Sequence, residues 1–252
     1  MKNIKKFVVI GICLLVILGA SAHIFVLLHI ESANKAKYGK IANMVVTEKE
    51  VAKEQGIEAE EVHLTPREKY AKLIEQNPDM IGYIYLTDEY QYPILQNRQD
   101  QNYYLYRDFY KKDNKNGAIF ANVNTQIDSA ISTDLIYGHN MRSGQMFGTI
   151  KNYIRDPKYL EQHSIIRIDS LDNEYIYKVV GVYQVSYTIF NYDKLVGELS
   201  EEDFNYWKEN VAKYLKVGSV KDLNYGDKIV ELSTCNSISD TSRNVLVLKR
   251  ED

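Results

Sequence analysis

A cysteine, a histidine and an arginine stand where predicted strands end or begin, and together they can carry out acyl transfer. His139 and Cys235 each follow an apolar run, and Arg243 precedes one. A cysteine attacks a carbonyl as its thiolate, a form that a nearby histidine or arginine cation favours. Histidine can protonate a leaving amine near neutral pH, and arginine can donate hydrogen bonds to an oxyanion. The set therefore describes acyl transfer through a thioacyl intermediate.

Each of these residues also has an interpretation without chemistry. The only other cysteine, Cys13, lies in the apolar N-terminal run, so an exported domain cannot close an internal disulfide through Cys235. The thiol is then buried and inert, intermolecular, or chemically employed, and a lone cysteine in an apolar strand is usually a small buried hydrophobe. A lone histidine after a strand is often a turn residue, and an arginine beside a strand is often a surface charge. Residue types alone leave these alternatives open.

The elements that must position the three residues are mostly strands. Short runs rich in Ile, Val and Tyr, separated by Asn, Asp and Gly, predict strands at residues 81–86, 92–95, 117–122, 134–137, 164–169, 174–188, 228–234 and 244–249. Two helical stretches interrupt them, at about residues 146–162 and 200–215. This pattern predicts a mainly β fold with inserted helices, either a barrel or a sandwich.

A helix should precede the strands. Thr65 can cap it, Pro66 suits the first helical position, and Glu68 completes a capping box, so we expect a helix to about Gln76. Residues 31–64 are rich in Lys, Glu and Ala, which predicts a helical or partly ordered stalk. A solvated linker without a specific partner is the other interpretation of that segment.

The N-terminus has the pattern of a membrane anchor. Three lysines among the first six residues precede an apolar run over residues 7–30, and about 20 apolar residues suffice to cross a bilayer as a helix. The lysines favour a cytoplasmic N-terminus. Residues 20–22, Ala-Ser-Ala, resemble a signal-peptidase site, but the apolar run continues beyond them, which favours an uncleaved anchor. The predicted organisation is a cytoplasmic tail, a transmembrane helix, a stalk and an extracellular catalytic domain, at residues 1–6, 7–30, 31–64 and 65–252.

The composition excludes several classes of function. The chain has 252 residues, 45% hydrophobic and 26% charged, with a formal net charge of -3, unlike a disordered chain or a polybasic nucleic-acid binder. Metal-ligand spacings such as CxxC and HExxH do not occur, so we predict neither a metal site nor a cofactor. A papain-like protease would place its cysteine near the start of the domain, whereas here the histidine comes first.

Several motifs together resemble those of a known family. Leu232-Ser233-Thr234-Cys235 resembles the TLxTC motif of class B sortases, and Arg243 stands where the family's arginine follows on the next strand. Residues 137–141, Tyr-Gly-His-Asn-Met, resemble the histidine segment. Residues 92–96, 100–105 and 117–120 resemble further class B landmarks, and the helix at 200–215 is similar to the class B insertion. The resemblance covers the chain from about Thr65 to its C-terminus.

The resemblance implies a fold and an activity. Class B sortases are membrane-anchored cysteine transpeptidases of Gram-positive bacteria, with a closed eight-stranded β-barrel and a long helix between late strands. By this resemblance Cys235 attacks the threonine carbonyl of a sorting signal on another exported protein, Arg243 stabilises the oxyanion, and His139 protonates the leaving amine. The implied partners are sorting-signal-bearing surface proteins, a cell-wall peptide amine or a pilin lysine as acceptor, and the lipid bilayer around the N-terminal helix.

Further residues are candidates for the substrate groove. They are Ser233, Thr234, Tyr187, Thr188, Ile189, Tyr192 and Asn140. Asn140 can instead serve a turn or orient His139, and Asp240 can steer Arg243 or cap a loop. A noncatalytic, membrane-anchored extracellular adhesion or scaffold domain is the alternative to an enzyme, and it predicts an unreactive Cys235.

The chain departs from the family pattern at three places. Glu231 replaces the usual threonine at the start of the cysteine motif, and because strand side chains alternate we expect it to have little effect on the chemistry. Residues 236–238 are not the expected aromatic-acidic sequence, and Lys249-Arg250 lacks a glycine often found there. These departures bear on substrate preference more than on reaction type.

Overall fold

The computed structural model describes residues 2–235 and 241–251, with the main chain only at residues 2–5, 8, 9 and 235. The predictions for Asp240 and for residues 236–238 lie outside the described residues. By its internal contacts the chain divides into two units, Met1–Lys40 and Ile41–Asp252. The boundary between stalk and catalytic domain at residues 64 and 65 stays a prediction.

Residues 2–40 of the first unit belong to helix α1, Lys2–Ala42. Residues 7–30 of this helix contain no Asp, Glu, Lys or Arg, and apolar side chains such as Leu15 and Phe25 are exposed. In the part of the chain that the structure describes, α1 is the one helix long and apolar enough to cross a membrane. Its composition and length suggest a membrane anchor.

The described part of the second unit contains six further α-helices, all short except the last. They are α2 Glu48–Gln55, α3 Pro66–Lys69, α4 Ala71–Gln76, α5 Ile150–Arg155, α6 Tyr159–Gln162 and α7 Glu201–Tyr214. The predicted capping box is present, because Thr65 N donates to the Glu68 carboxylate at 2.8 Å and Glu68 N donates to Thr65 Oγ1 at 3.3 Å. The helix that it begins is interrupted at Tyr70 and ends at Gln76.

One expected helix is divided. The stretch at residues 146–162 was predicted as a single helical patch, but it forms α5 and α6 with Asp156 extended between them, at φ -121° and ψ 110°. Pro157 follows Asp156, and a residue before proline is disfavoured in the α region. The division therefore has a local cause that is visible in the sequence.

Within the described residues, nine strands of the second unit form one sheet. They are β1 Met80–Tyr85, β2 Gln91–Leu95, β3 Phe120–Ala121, β4 Thr133–Gly138, β5 Ile165–Ser170, β6 Glu174–Ser186, β7 Leu215–Gly218, β8 Ile229–Cys235 and β9 Ser242–Glu251. Their order is β5-β1-β2-β3-β4-β8-β9-β6-β7, and β5 also pairs with β6. That extra pairing closes a ring of eight strands, so the predicted eight-stranded barrel is confirmed.

The ninth strand, β7, was not predicted. It continues directly from α7 and pairs with β6 at Gly181–Tyr183 of that strand, outside the ring. Its four residues alternate between half-buried and exposed, and only Leu215 and Val217 are apolar. A strand this short, joined to a helix without a turn, carries too little pattern to be recognised.

Helix α7 packs its apolar side against the barrel and forms the core beside the cysteine strand. Phe204, Trp207 and Val211 are buried, and their spacing of three and four residues places them on one helical face. They join strand residues such as Tyr183 and Val245 in a single buried cluster. Trp207 is fully buried, and removal of such an aromatic side chain typically costs about 3–5 kcal/mol. The inserted helix therefore contributes substantially to the stability of the wall that carries β8.

Glu231 lies inside this core. Its Oε1 accepts hydrogen bonds from Tyr183 Oη at 2.8 Å and from Trp207 Nε1 at 3.0 Å. Burial raises the pKa of Glu231 to about 8, although both hydrogen bonds act in the opposite direction. Among the described residues, Oε2 has no hydrogen-bond partner. The carboxyl is thus a neutral acid at pH 7 that joins α7 and β6 to the cysteine strand.

The buried carboxyl of Glu231 should make the stability of the protein depend on pH. The native pKa is about 8 and the ordinary value is 4.5, so between these pH values the native state keeps a proton that the unfolded state has released. Stability therefore falls as pH rises through this window, by about 5 kcal/mol in total. The Glu231→Gln variant keeps the acceptor oxygen and should lose this slope. Denaturant unfolding from pH 5 to pH 9 measures it, with the exposed Glu209→Gln as the matched control. Equal slopes for wild type and Glu231→Gln would contradict a buried neutral carboxyl.

Candidate active site

The strand register brings the three candidate catalytic positions together. Strands β4 and β8 are parallel neighbours, with Gly138 paired to Thr234, and His139 and Cys235 each come next along their strands. Strands β8 and β9 are antiparallel, and Cys235 is the register partner of Arg243. The main chain at Cys235 therefore lies between those of His139 and Arg243 at one end of the barrel.

The His139 ring is held by a loop from elsewhere in the barrel. Its Nε2 lies 2.8 Å from the main-chain oxygen of Leu105, and the ring of Tyr106 lies 6.0 Å away, centroid to centroid. The main-chain oxygen of His139 accepts from the amides of Met141 at 3.2 Å and Phe147 at 3.1 Å. Ring and main chain are thus fixed by separate contacts.

Arg243 is half-buried on β9 and directed toward an aromatic ring. Its guanidinium carbon lies 5.1 Å from the centroid of the Tyr187 ring, within the range of a cation–π contact. Its Nη1 donates to the main-chain oxygen of Ser242 at 3.0 Å. Tyr187 follows the end of β6, so the loop after that strand helps to orient the arginine.

A cavity of about 390 Å³ opens between these elements. Twelve described residues line it: Gln101, Asn102, Leu105, Phe120, Tyr137, Gly138, His139, Tyr187, Tyr192, Asp193, Ser233 and Arg243. The lining combines aromatic walls with a few polar groups, as small-ligand and peptide sites commonly do. A cavity of this size accommodates a few residues of an extended peptide.

Of the seven predicted groove residues, three line the cavity and four do not appear among its described lining residues. Tyr187, Tyr192 and Ser233 line the cavity together with His139 and Arg243, and the hydroxyls of Tyr192 and Ser233 lie 2.8 Å apart. The remaining four are not among the described lining residues. Thr234 is fully buried, Ile189 is 67% exposed, Thr188 Oγ1 contacts Ser186 Oγ at 2.8 Å, and Asn140 forms an isolated bridge with Met146.

Several lining residues had no individual prediction. Gln101, Asn102 and Leu105 come from a segment recognised as a landmark, but no role was assigned to them. Asp193 stands at the cavity beside Arg243 and remains accessible to solvent. The surrounding protein raises the pKa of its carboxyl, whereas a hydrogen bond with Tyr137 and the charge of Arg243 lower it. The position of Asp193 next to Tyr192 was the only sequence signal for it.

The comparisons with known proteins agree with this geometry. The family model described as "Sortase domain" matches residues 89–251. The chain belongs to the sortase family. It is 27% identical over 184 residues to a protein named Sortase B from Listeria monocytogenes, covering 73% of each chain. It is 26% identical over 186 residues to Sortase B from Staphylococcus aureus, covering 73% of this chain and 75% of the relative.

A solved structure shows the same fold. A Staphylococcus aureus sortase B–substrate complex superposes with a TM-score of 0.71 at 23% identity, covering 88% of this chain and 98% of that one. The closed barrel with its inserted helix is therefore the sortase B architecture. The chain is a sortase-type cysteine transpeptidase of class B. This family membership supports a role in sorting proteins to the cell wall.

Proposed function

We propose that this sortase cleaves the sorting signal of an exported protein after threonine and joins the new acyl end to an amine. The observation that carries the proposal is the register of β4, β8 and β9, which sets Cys235 between His139 and Arg243. The cavity beside these positions supports peptide binding, and Tyr187, Tyr192 and Ser233 are the proposed contacts. Thr234, Thr188, Ile189 and Asn140 stay proposed substrate-binding residues without a place in the described lining.

The proposed chemistry has two halves. The Cys235 thiolate adds to the threonine carbonyl carbon, and Arg243 and a main-chain N–H stabilise the oxyanion that forms. The carbon–nitrogen bond then breaks as His139 gives its proton to the leaving amine. In the second half an amine adds to the thioacyl carbon, His139 takes the proton of that amine, and the thiolate leaves. Water in place of the amine gives hydrolysis as a slower side reaction.

The proposed acceptor and location follow from the same function. The acceptor is a peptidoglycan precursor or cross-bridge amine, or a pilin lysine, and the acyl donor is a sorting-signal-bearing surface protein. Helix α1 supports anchoring in the lipid bilayer as a single span, because its apolar run is long enough to cross. We place its N-terminus in the cytoplasm, since lysines precede the run, and the catalytic domain of residues 65–252 outside the cell.

A peptide library tests this function. The full chain in detergent micelles is incubated with peptides that vary around a threonine, with and without an added short amine such as triglycine. We expect cleavage after threonine in a restricted set of sequences, and ligation of the amine at the expense of hydrolysis. Cleavage at other residues, or hydrolysis products alone in the presence of the added amine, would contradict the proposed transfer. Chain with Cys235 blocked by a methanethiosulfonate serves as the control.

A further inference from the structure

A main-chain oxygen is the hydrogen-bond partner of the proposed proton-transfer residue. His139 Nε2 lies 2.8 Å from the oxygen of Leu105. A carbonyl oxygen only accepts hydrogen bonds, so the Nε2 atom in this contact must carry the hydrogen. In a neutral imidazole the other nitrogen, Nδ1, is then the acceptor.

We propose that the carbonyl of Leu105 is the positioning group for His139 and that Nδ1 carries the proton exchanged in catalysis. The inference rests on the proposed function and names the atom that performs its proton transfer. Nδ1–H gives its proton to the leaving amine, and the ring is left neutral with hydrogen on Nε2. Nδ1 then takes a proton from the incoming amine, and the charged ring donates to Leu105 through Nε2. One proton leaves and one returns, so the ring is restored in each cycle.

The carbonyl is held by a firmly anchored turn. Tyr104, next to Leu105, is 1% exposed, and its hydroxyl donates to Asp79 Oδ2 at 2.6 Å. Asn77 Nδ2 donates to the same hydroxyl at 3.0 Å. The main-chain oxygen of Tyr104 accepts from Ala118 N at 3.1 Å. A buried side chain and a main-chain bond therefore fix the peptide groups on either side of Tyr104.

Gly117 is the residue that lets this turn come close. It has a φ of +54°, and a Cβ added there would lie 2.5 Å from the Leu105 oxygen and 2.7 Å from the Tyr104 oxygen. Real Cβ atoms essentially never approach backbone atoms that closely, so any side chain at residue 117 must push the Leu105 carbonyl away from its place. Glycine at this position is thus required by the contact with the carbonyl that holds His139, in addition to its backbone conformation.

The ring can be disturbed without moving the rest of the histidine. The main-chain oxygen of His139 is held by the Met141 and Phe147 amides, which belong to a different loop from Leu105. Displacement of the Leu105 carbonyl should therefore free the ring to rotate and exchange its tautomer, while the main chain stays in register with β8. The expected defect is one of proton transfer and not of peptide binding.

Nuclear magnetic resonance of the full chain in micelles, labelled with ¹⁵N-histidine, tests the inference. His139→Gln identifies the His139 signals. At a pH where the ring is neutral, we expect hydrogen on Nε2, protected from exchange with water, and an unprotonated Nδ1. Hydrogen on Nδ1, or an Nε2 hydrogen that exchanges as fast as in free imidazole, overturns the proposal. This measurement needs no activity, so it is independent of whether the proposed function holds.

The Gly117→Ala variant supplies the kinetic arm. We expect protection of the Nε2 hydrogen to be lost and kcat for peptide transfer to fall on the order of 100-fold, with KM changed by less than about threefold. The matched control is Gly226→Ala, because Gly226 has a φ of +95° and a Cβ there meets nothing within 4 Å. An unchanged kcat in folded Gly117→Ala overturns the proposal. If Gly117→Ala does not fold, the tautomer of the wild type still decides it.

Discussion

Replacing Cys235 by alanine is expected to abolish both peptide cleavage and transfer. Cys235 is the only cysteine outside the apolar N-terminal run, and its register places it between His139 and Arg243. Without the thiol no thioacyl bond can form, and water is a much weaker nucleophile than the lost thiolate. Loss of a covalent nucleophile typically costs on the order of 10⁵-fold or more in rate. A discontinuous assay of cleaved peptide by liquid chromatography should therefore find only background in the variant.

The second cysteine gives a matched control. Cys13 lies in α1, and Cys13→Ala should retain full activity, because the proposed mechanism does not use that thiol. In the Cys13→Ala background, a methanethiosulfonate can react only at Cys235, so rapid inactivation would identify the nucleophile. Peptide cleavage by Cys235→Ala at more than background rate would show that another group performs the attack.

Replacing Arg243 by alanine is expected to lower kcat about a thousandfold while the fold is kept. The guanidinium belongs to the residue paired with Cys235 and lines the cavity beside it. Removal of a donor to an oxyanion typically costs about 10²–10³ in kcat, because the interaction is made in the transition state. Arg243→Lys should recover little activity, since an ammonium does not reproduce the planar fork of donors or its contact with Tyr187. Steady-state kinetics with a cleaved peptide measures both variants.

Another arginine of the same strand separates catalysis from packing. Arg250 also lies on β9, stacks over Tyr175 at 4.8 Å and donates to the Ser129 oxygen at 3.3 Å, away from the cavity. Arg250→Ala should keep kcat while losing a similar cation–π contact. If the two alanine variants lose activity equally, the effect of Arg243 is structural and its assignment to the oxyanion is wrong.

Much of the fold was predictable from local pattern. Apolar runs bounded by turn residues placed eight strands, and Thr65, Pro66 and Glu68 marked a helix start that the structure has. Closure of the barrel came from the resemblance to the family and not from strand pattern. It requires β5 to pair with β1 as well as with its neighbour β6, and β1 lies far from β5 along the chain. Pro157 marks the division of the helix in the sequence, because a residue before proline is disfavoured in the α region.

The candidate site was predictable in its reacting groups and in part of its lining, since Tyr187, Tyr192 and Ser233 line the cavity as expected. Cys235, His139 and Arg243 have side-chain types that carry chemistry, so their motifs could be recognised. Leu105 acts through its main-chain oxygen, which every residue type has. Its contact with His139, 34 positions along the chain, therefore cannot be recognised from residue type. Glu231 looked like a neutral departure from a motif, yet it lies buried between α7 and β6. Such contacts arise from tertiary packing between elements that are distant along the chain.

Mass spectrometry of the trapped thioacyl intermediate would show whether Cys235 is the nucleophile. The full chain is mixed with a cleaved peptide, quenched in acid within the first turnover and digested. We expect one new mass on the fragment that contains Cys235, equal to that of the substrate up to its threonine. This mass should disappear when a short amine is added before the quench. An acyl group found on any other residue, or turnover without an adduct in the wild type, would contradict this role of Cys235.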